Sequence, residues 1–377
     1  MKIIFLIPAF TLGGVETQAY YLAKQFKESG YDVLFIATRG EKGLLCEKLE
    51  TLGVKYDFFY GFNDFTKKSA LHKIKILLQY IFFLRKFKPT YLLSFTEPIN
   101  SITNLIYRFT GCKKSIYTIR KGFANNEVMT WMDKLVKFSS PLYVANSIQG
   151  AKGLEQKFNL NSGFVKVILN GIEPIDTKAL KPDYWLNELG LKKDDFIFVM
   201  VANFFNEKNH DLLLEAWCNF SSQLKLNNTQ LPKLLLIGGP SKFDRDYFKI
   251  KAQVLDKKLY DSVIFVNPTT DIHSILSISK VGILLTFSEG CPNSVIEYTQ
   301  HSLPIIASNI PAITEILGSN YSLLVNNNDA KKLESLLTET YINYTKYKSA
   351  TEGIKNEVAE RYSIENLKKS YSSLLSQ

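Results

Sequence analysis

Two carboxylates eight positions apart, Glu289 and Glu297, bracket the segment Gly290-Cys291-Pro292-Asn293-Ser294. Upstream lies the apolar run Val281-Gly282-Ile283-Leu284-Leu285, which reads as a buried strand. The stretch from Glu289 to Asn293 has turn chemistry, and helical periodicity sets in from Ser294. Glu289 therefore belongs to a strand-to-helix loop and Glu297 lies about one turn into the helix. At such a junction the free backbone N–H groups of residues 290 to 294 and the positive end of the helix dipole suit a diphosphate. Two carboxylates facing that place can accept hydrogen bonds from the hydroxyls of a ribose and a hexose. This is the chemistry of holding a nucleotide-sugar. Taken alone, the pair is more readily a loop glutamate and a solvated helix glutamate, so its meaning depends on the elements around it.

Those elements alternate. Strand patterns occur at Ile3 to Ile7, Asp32 to Ala37, Tyr56 to Phe59, Tyr91 to Phe95, Ser115 to Ile119, Leu142 to Asn146 and Phe164 to Ile168. Residues 173 to 195, with Pro174, Pro182 and many charges, have the composition of a connector. A second set follows at Phe196 to Val201, Leu234 to Ile237, Val263 to Val266, Gly282 to Leu285 and Pro304 to Ala307. Strands alternating with helical segments imply parallel sheets wrapped by helices, and 377 residues suit two such domains. The reading is an α/β protein of two tandem Rossmann-like domains with a cleft between them, residues 1–172 and 173–356. Residues 357–377 form an end helix capped by Ser363.

Composition narrows the function classes. Cys46, Cys112, Cys218 and Cys291 show no paired or metal-like spacing, and the four histidines form no cluster, so neither a disulfide framework nor a structural zinc is expected. The N-terminal apolar run is short, lacks a small-residue cleavage site and runs into Gly13-Gly14, so it reads as a first strand. No stretch reaches about 18 uncharged apolar residues, and a cytoplasmic protein is expected. Of the net charge of +10, residues 1 to 175 carry 24 Lys+Arg against 13 Asp+Glu, or +11, leaving −1 for the remainder. A basic N-terminal half suits an anionic membrane surface or a lipid diphosphate, and with no recognition motif present nucleic acid is not expected. Residues 67 to 88 mix apolar side chains with cations at both ends, as an interfacial membrane helix does. Packing on the first sheet is the reading preferred here, because Pro89 and a strand follow directly.

The segment from Phe287 to Ile316, in which Glu289 and Glu297 are followed by the strand Leu303-Pro304-Ile305-Ile306-Ala307 and by Thr314-Glu315-Ile316, resembles the Glu-x7-Glu region of the family 4 retaining glycosyltransferases. Ser302 stands where that family usually has glycine. The resemblance runs along nearly the whole chain. Gly13-Gly14-Val15-Glu16 is similar to the family's opening Gly-Gly-x-Glu loop, and Gly238-Gly239-Pro240 to the turn below the nucleotide. Phe265-Val266-Asn267-Pro268 is similar to a strand end facing the base. Asn203 to Lys208 resembles the loop whose arginine and lysine neutralise the departing diphosphate. Lys208 falls on the lysine, but Asn203 or Phe205 occupies the arginine's place. Arg120 or Lys121, after a first-domain strand where the family often has a histidine, is a candidate substitute.

The resemblance implies a two-domain enzyme without metal or other cofactor. It would move a hexose or N-acetylhexosamine, with anomeric configuration kept, from a nucleotide-sugar, by default UDP-linked, to a lipid-linked or oligosaccharide acceptor in surface polysaccharide biosynthesis. Domain closure would exclude water. Glu289, Lys208 and Arg120 are the candidate catalytic residues. Gly14, Asn203, Gly239, Pro268, Gly290, Cys291, Pro292, Asn293, Ser294 and Glu297 are the candidate donor-binding residues. The end helix should pack back on the first domain, and the enzyme is expected in the cytoplasm, at the inner membrane surface where its acceptor is lipid-linked. Asp244-Arg245-Asp246 spells the Asp-x-Asp of metal-using transferases, but its charged surroundings mark a solvated face. Two other readings fit the same architecture: a nucleotide-sugar 2-epimerase, and a non-catalytic sugar-nucleotide or lipid-binding partner protein.

Overall fold

Strand runs such as KIIFLI and IFVMV are apolar at nearly every position rather than at alternate ones, and nearly every residue in them is buried. A strand can be apolar on both faces only when both faces are covered, which calls for parallel sheets flanked by helices. The computed structural model has two such sheets, and it describes all residues except 12, 63–64, 123–130, 240–244 and 377, with side chains also left aside at 66 and 131. The chain divides into one unit of Met1–Glu173 with Tyr362–Gln377 and another of Pro174–Arg361.

In the first unit the order is β1 (Lys2–Ile7), α1 (Gly14–Glu28), β2 (Asp32–Ala37), α2 (Leu44–Leu52), β3 (Lys55–Phe58), α3 (Ala70–Lys86), β4 (Tyr91–Ser94), α4 (Ile99–Ile106), β5 (Lys114–Ile119), α5 (Trp131–Ser139), β6 (Leu142–Ala145), α6 (Ile148–Phe158) and β7 (Lys166–Val167). The second unit has α7 (Pro182–Glu188), β8 (Ile197–Val201), α8 (His210–Leu226), β9 (Lys233–Ile237), α9 (Arg245–Asp256), β10 (Val263–Val266), α10 (Ile272–Ile278), β11 (Val281–Leu284), α11 (Asn293–Gln300), β12 (Ile305–Ser308), α12 (Pro311–Leu317), β13 (Leu324–Val325), α13 (Ala330–Ile342) and α14 (Tyr344–Arg361). The last helix, α15 (Ile364–Ser376), belongs to the first unit.

Both sheets are parallel, ordered β3-β2-β1-β4-β5-β6-β7 and β10-β9-β8-β11-β12-β13. Each starts at an inner strand, winds outward, then returns to wind the other way, so strand order reverses between β1 and β4 and between β8 and β11. In such sheets ligands bind at the carboxyl ends of the two strands flanking the reversal, because their loops diverge to opposite faces and leave a crevice. The tandem Rossmann-like reading thus holds for each unit.

Three features depart from the sequence reading. Residues 173–195 are not a bare connector: Pro182 starts α7, where a proline at the first helical turn costs no hydrogen bond, and the helix is tied to α10. Trp185 Nε1–H donates to Asp271 Oδ2 at 2.8 Å, and Lys181 N–H to Ser274 Oγ at 2.8 Å. The two-residue strand β13 was too short to show a period. The second unit also runs to Arg361, past the expected 356, because α14 continues unbroken to that residue. Beyond it Ser363 Oγ accepts the Asn366 N–H at 3.3 Å as α15 begins, and Ile172 N–H donates to Tyr362 O at 2.8 Å.

Candidate functional site

The reversal in the second sheet places the loops after β8 and β11 side by side, and there Lys208 Nζ donates to Glu289 Oε1. Their side chains retain only 16% and 18% exposure. Neither residue type is expected in a partly closed place without a partner. The backbones are linked as well, since Phe287 N–H donates to Glu207 O at 2.9 Å.

Three further groups fix this corner. Asn327, after β13, donates Nδ2–H to Thr286 O at 2.8 Å, accepts from Ser308 Oγ through its side-chain oxygen, and through its carbonyl accepts the Asn209 Nδ2–H at 2.9 Å. Thr286 N–H donates to Ser308 Oγ at 2.8 Å. The ends of β11, β12 and β13 and the start of α8 therefore share one half-buried asparagine. Asp246, in the first turn of α9, accepts the Asn206 N–H at 3.1 Å and so serves the loop that carries Lys208. Asp244 and Pro240 lie outside the described residues. Among the described residues no group of three or more His, Cys, Asp or Glu is placed to hold a metal ion.

Helix α11 begins at Asn293, one residue earlier than its periodicity suggested, with Pro292 at the N-cap and no side-chain cap. The loop before it is tucked in: Gly290, Cys291, Pro292 and Ser294 are buried, while Asn293 and Glu297 are half-buried. Position is set from below by Tyr298, fully buried, whose oxygen accepts the Val201 N–H at 2.7 Å and whose O–H donates to Ile283 O at 3.2 Å. The phenol thus clamps α11 to the carboxyl ends of the two strands flanking the reversal, and burial pushes its ionisation far up. Gly282 makes room for it, because a Cβ there would overlap the Tyr298 ring.

The remaining candidates in this unit lie along the same carboxyl edge. Asn203 is exposed just after β8, Gly239 follows β9 and Pro268 follows β10. A Cβ on Gly239 would approach Pro268 Cγ to 2.9 Å, so those two loops abut. His210, at the start of α8, stacks on Phe204 at 4.7 Å. Burial, chiefly, with Lys208 adding to it and Asp211 opposing, lowers its pKa to about 4, so it stands neutral beside the lysine.

Gly14 and Arg120 belong to the first unit. Gly14 opens α1 without a side-chain cap at Gly13, and the Glu16 carboxylate folds back over Gly13. Burial raises the Glu16 pKa, against its own backbone N–H and Arg39. Arg120 is held within its own unit: Nη1–H donates to Asn170 Oδ1 at 2.9 Å, Nη2–H to Tyr371 Oη at 3.4 Å, and the guanidinium lies over Phe95 at 4.9 Å. Tyr371 comes from α15, so this arginine ties the returning helix to β5. Sequence reasoning missed Tyr298, Asn209 and Asn327, single polar residues whose partners lie far along the chain.

Residues 183–357 match the family described as glycosyl transferases group 1, and residues 12–175 match glycosyltransferase family 4. Among curated proteins the chain is similar to the Escherichia coli UDP-Gal:alpha-D-GlcNAc-diphosphoundecaprenol alpha-1,3-galactosyltransferase, 29% identical over 48% of this chain and 43% of that protein, less than half of the relative's length. It is also 25% identical to an uncharacterized glycosyltransferase of Haemophilus influenzae over 83% of this chain and 82% of that one. Among solved structures, Anabaena Alr3699/HepE in complex with UDP and glucose has a TM-score of 0.80 at 15% identity, covering 100% of this chain and 99% of that one. A glycosyltransferase from Rickettsia africae has a TM-score of 0.78 at 18% identity, covering 99% and 97%. At those identities the structural likenesses carry the fold alone.

Proposed function

The chain belongs to the family 4 glycosyltransferases, and from that premise we propose a metal-independent retaining transferase that moves a hexose or N-acetylhexosamine from a UDP-sugar to a lipid-linked saccharide. The observation that carries this reading is the meeting of Lys208 and Glu289 where strand order reverses, beside the start of α11.

The donor diphosphate lies at the mouth of α11, accepting hydrogen bonds from backbone N–H groups of residues 290 to 294, with Lys208 as the cation. Glu297 accepts from the ribose hydroxyls and Glu289 from those of the sugar. Asn203, Gly239 and Pro268 border the nucleotide, and Gly14 belongs to the acceptor-binding unit. As the C1–O bond to the β-phosphate breaks, negative charge builds on the diphosphate, and a fixed cation with aligned amide dipoles lowers the barrier most where that charge appears. The acceptor oxygen bonds to C1 on the face the phosphate leaves, and its proton passes to the departing phosphate oxygen. Configuration is then kept without an enzyme nucleophile. Lys208 and the amides supply the positive charge that a metal would otherwise bring, so neither metal nor cofactor is required.

The Arg120 guanidinium, held by the neutral groups of Asn170 and Tyr371, keeps its positive charge, and in this reading it stands in for the missing arginine. Lys208 is then the cation of the donor unit, and Arg120 is the candidate cation of the first unit. Support for a lipid-linked acceptor comes from the E. coli relative, named for a diphosphoundecaprenol substrate, and from the +11 charge of residues 1 to 175. Such an acceptor would place the enzyme at the cytoplasmic face of the membrane, in surface polysaccharide assembly. Incubation with UDP-sugars and lipid-diphosphate saccharides in the presence of EDTA tests it. Acceptor-dependent transfer with an axial anomeric product is expected. An epimerised nucleotide-sugar formed without acceptor, or binding without turnover, would overturn it.

A further inference from the structure

Helix α3 packs one side into the first unit through Ile76, Tyr80 and Leu84, which are buried. Its other side is not polar. Leu71, Ile74, Leu78 and Phe82 are 81%, 54%, 50% and 61% exposed, and their spacing of three, four and four residues sets them in one stripe along the helix. A solvated helix face would not hold four large apolar side chains in register. Lys75, Arg85 and Lys86 flank the stripe, all exposed. Residues 65 to 96 include Lys67, Lys68, Lys73, Lys75, Arg85, Lys86 and Lys88 and no Asp or Glu, seven of the +11 carried by residues 1 to 175. The neighbouring turn Tyr107–Thr110 packs against α3 and exposes Phe109, and Arg108 Nε–H of that turn donates to Ser139 O at 3.0 Å, next to Phe138, 89% exposed.

We propose that the outward face of α3 is a membrane-docking surface, its apolar stripe entering the headgroup region of an anionic phospholipid bilayer and its flanking cations lying on the lipid phosphates. Charge decides the occupant. A stripe meant for a second copy of this chain would bring seven cations against seven, whereas an anionic bilayer complements them. At 17 residues α3 is about 25 Å long, and among the described residues no helix is long and apolar enough to cross a membrane, so it lies in the interface plane. This deepens the lipid-linked acceptor reading and rests on it for its purpose, since docking would hold the enzyme where that acceptor is found.

The full-length protein is floated with vesicles of phosphatidylcholine alone or mixed with phosphatidylglycerol, at low and high salt, and its mass in solution is measured alongside. Binding to the mixed vesicles alone, weakened by salt, is expected. Leu78→Asp/Phe82→Asp should lower the partition coefficient on the order of a hundredfold, and Lys75→Glu/Lys86→Glu at least about tenfold at low salt. Both pairs are on the surface, so circular dichroism and donor binding should match the parent chain. Equal flotation by parent and variants, no flotation by either, or a dimer that Leu78→Asp/Phe82→Asp converts to monomer would overturn the docking surface. Transfer to soluble and lipid-linked acceptors is scored separately. Preference for soluble acceptors with flotation intact defeats the acceptor reading alone, and strict need for lipid-linked acceptor without flotation defeats the docking surface alone.

Discussion

Lys208 has two tasks in this account: it anchors Glu289, and it meets the charge of the leaving diphosphate. The second belongs to the transition state, so Lys208→Ala should lower kcat by about two to three orders of magnitude with a smaller change in donor KM. Steady-state kinetics decides it, and an unchanged kcat would remove the lysine from the chemistry. Glu297 contributes binding common to ground and transition states. Glu297→Ala should therefore weaken UDP-sugar binding by about tenfold, read by calorimetry, and leave kcat at saturation nearly unchanged. Two imidazoles, one buried and one half-buried, add a pH signature to the second unit. His210 and His301 both have pKa values lowered to about 4, in each case chiefly by burial, and His301 also faces His273 at 3.0 Å and the charge of Lys355. Unfolded imidazoles titrate near about 6.5, so between these values the unfolded chain binds more protons than the folded one. Their contribution to stability is complete above about pH 6.5 and is lost as pH falls toward 4. His301→Gln should flatten the fall in melting temperature over that window, and an identical slope would contradict the assignment.

Among elements, α11 matters most, because it carries the helix mouth and Glu297 and is pinned by one phenol. Tyr298→Phe leaves the Val201 N–H without its acceptor, at a cost of about 1–3 kcal/mol, and should lower the melting temperature while weakening donor binding. Gly282→Ala drives a Cβ into that ring and should do both more strongly. Parent-like donor affinity in either variant would mean that α11 does not need this clamp. Much of this arrangement was readable from the chain: Asp32–Ala37 and Val263–Val266 have the bounds expected of them, since continuous apolar runs between turn residues leave little choice of state. The strand-to-helix junction at 285–293 was equally plain from its turn chemistry. What the sequence could not supply was adjacency. That Lys208 meets Glu289, 81 positions away, follows from β8 lying beside β11, and strand order leaves no local mark. Tyr298 reads as one more helix aromatic until Gly282 is seen beneath it. The partners of Arg120, Asn170 and Tyr371, lie 50 and 251 positions along the chain, so nothing near it in sequence marks them. The outward stripe of α3 was hidden by the buried residues interleaved with it.

Over the whole molecule, each unit has its own hydrophobic core, one built around Phe5, Phe26 and Phe35 and the other around Phe198, Trp217 and Phe220. Separate cores need not melt together, so calorimetry should resolve two transitions, and UDP should raise the one belonging to Pro174–Arg361. A shift confined to the other transition would place the nucleotide in the wrong unit. The division of labour between a near-neutral donor unit and a basic acceptor unit rests on where the diphosphate sits, and one measurement addresses that directly: a crystal structure with UDP bound. The pyrophosphate oxygens should lie within about 3 Å of backbone N–H groups of residues 290–294 and of Lys208 Nζ, with the ribose against Glu297. Density for the pyrophosphate away from the start of α11 would contradict the account.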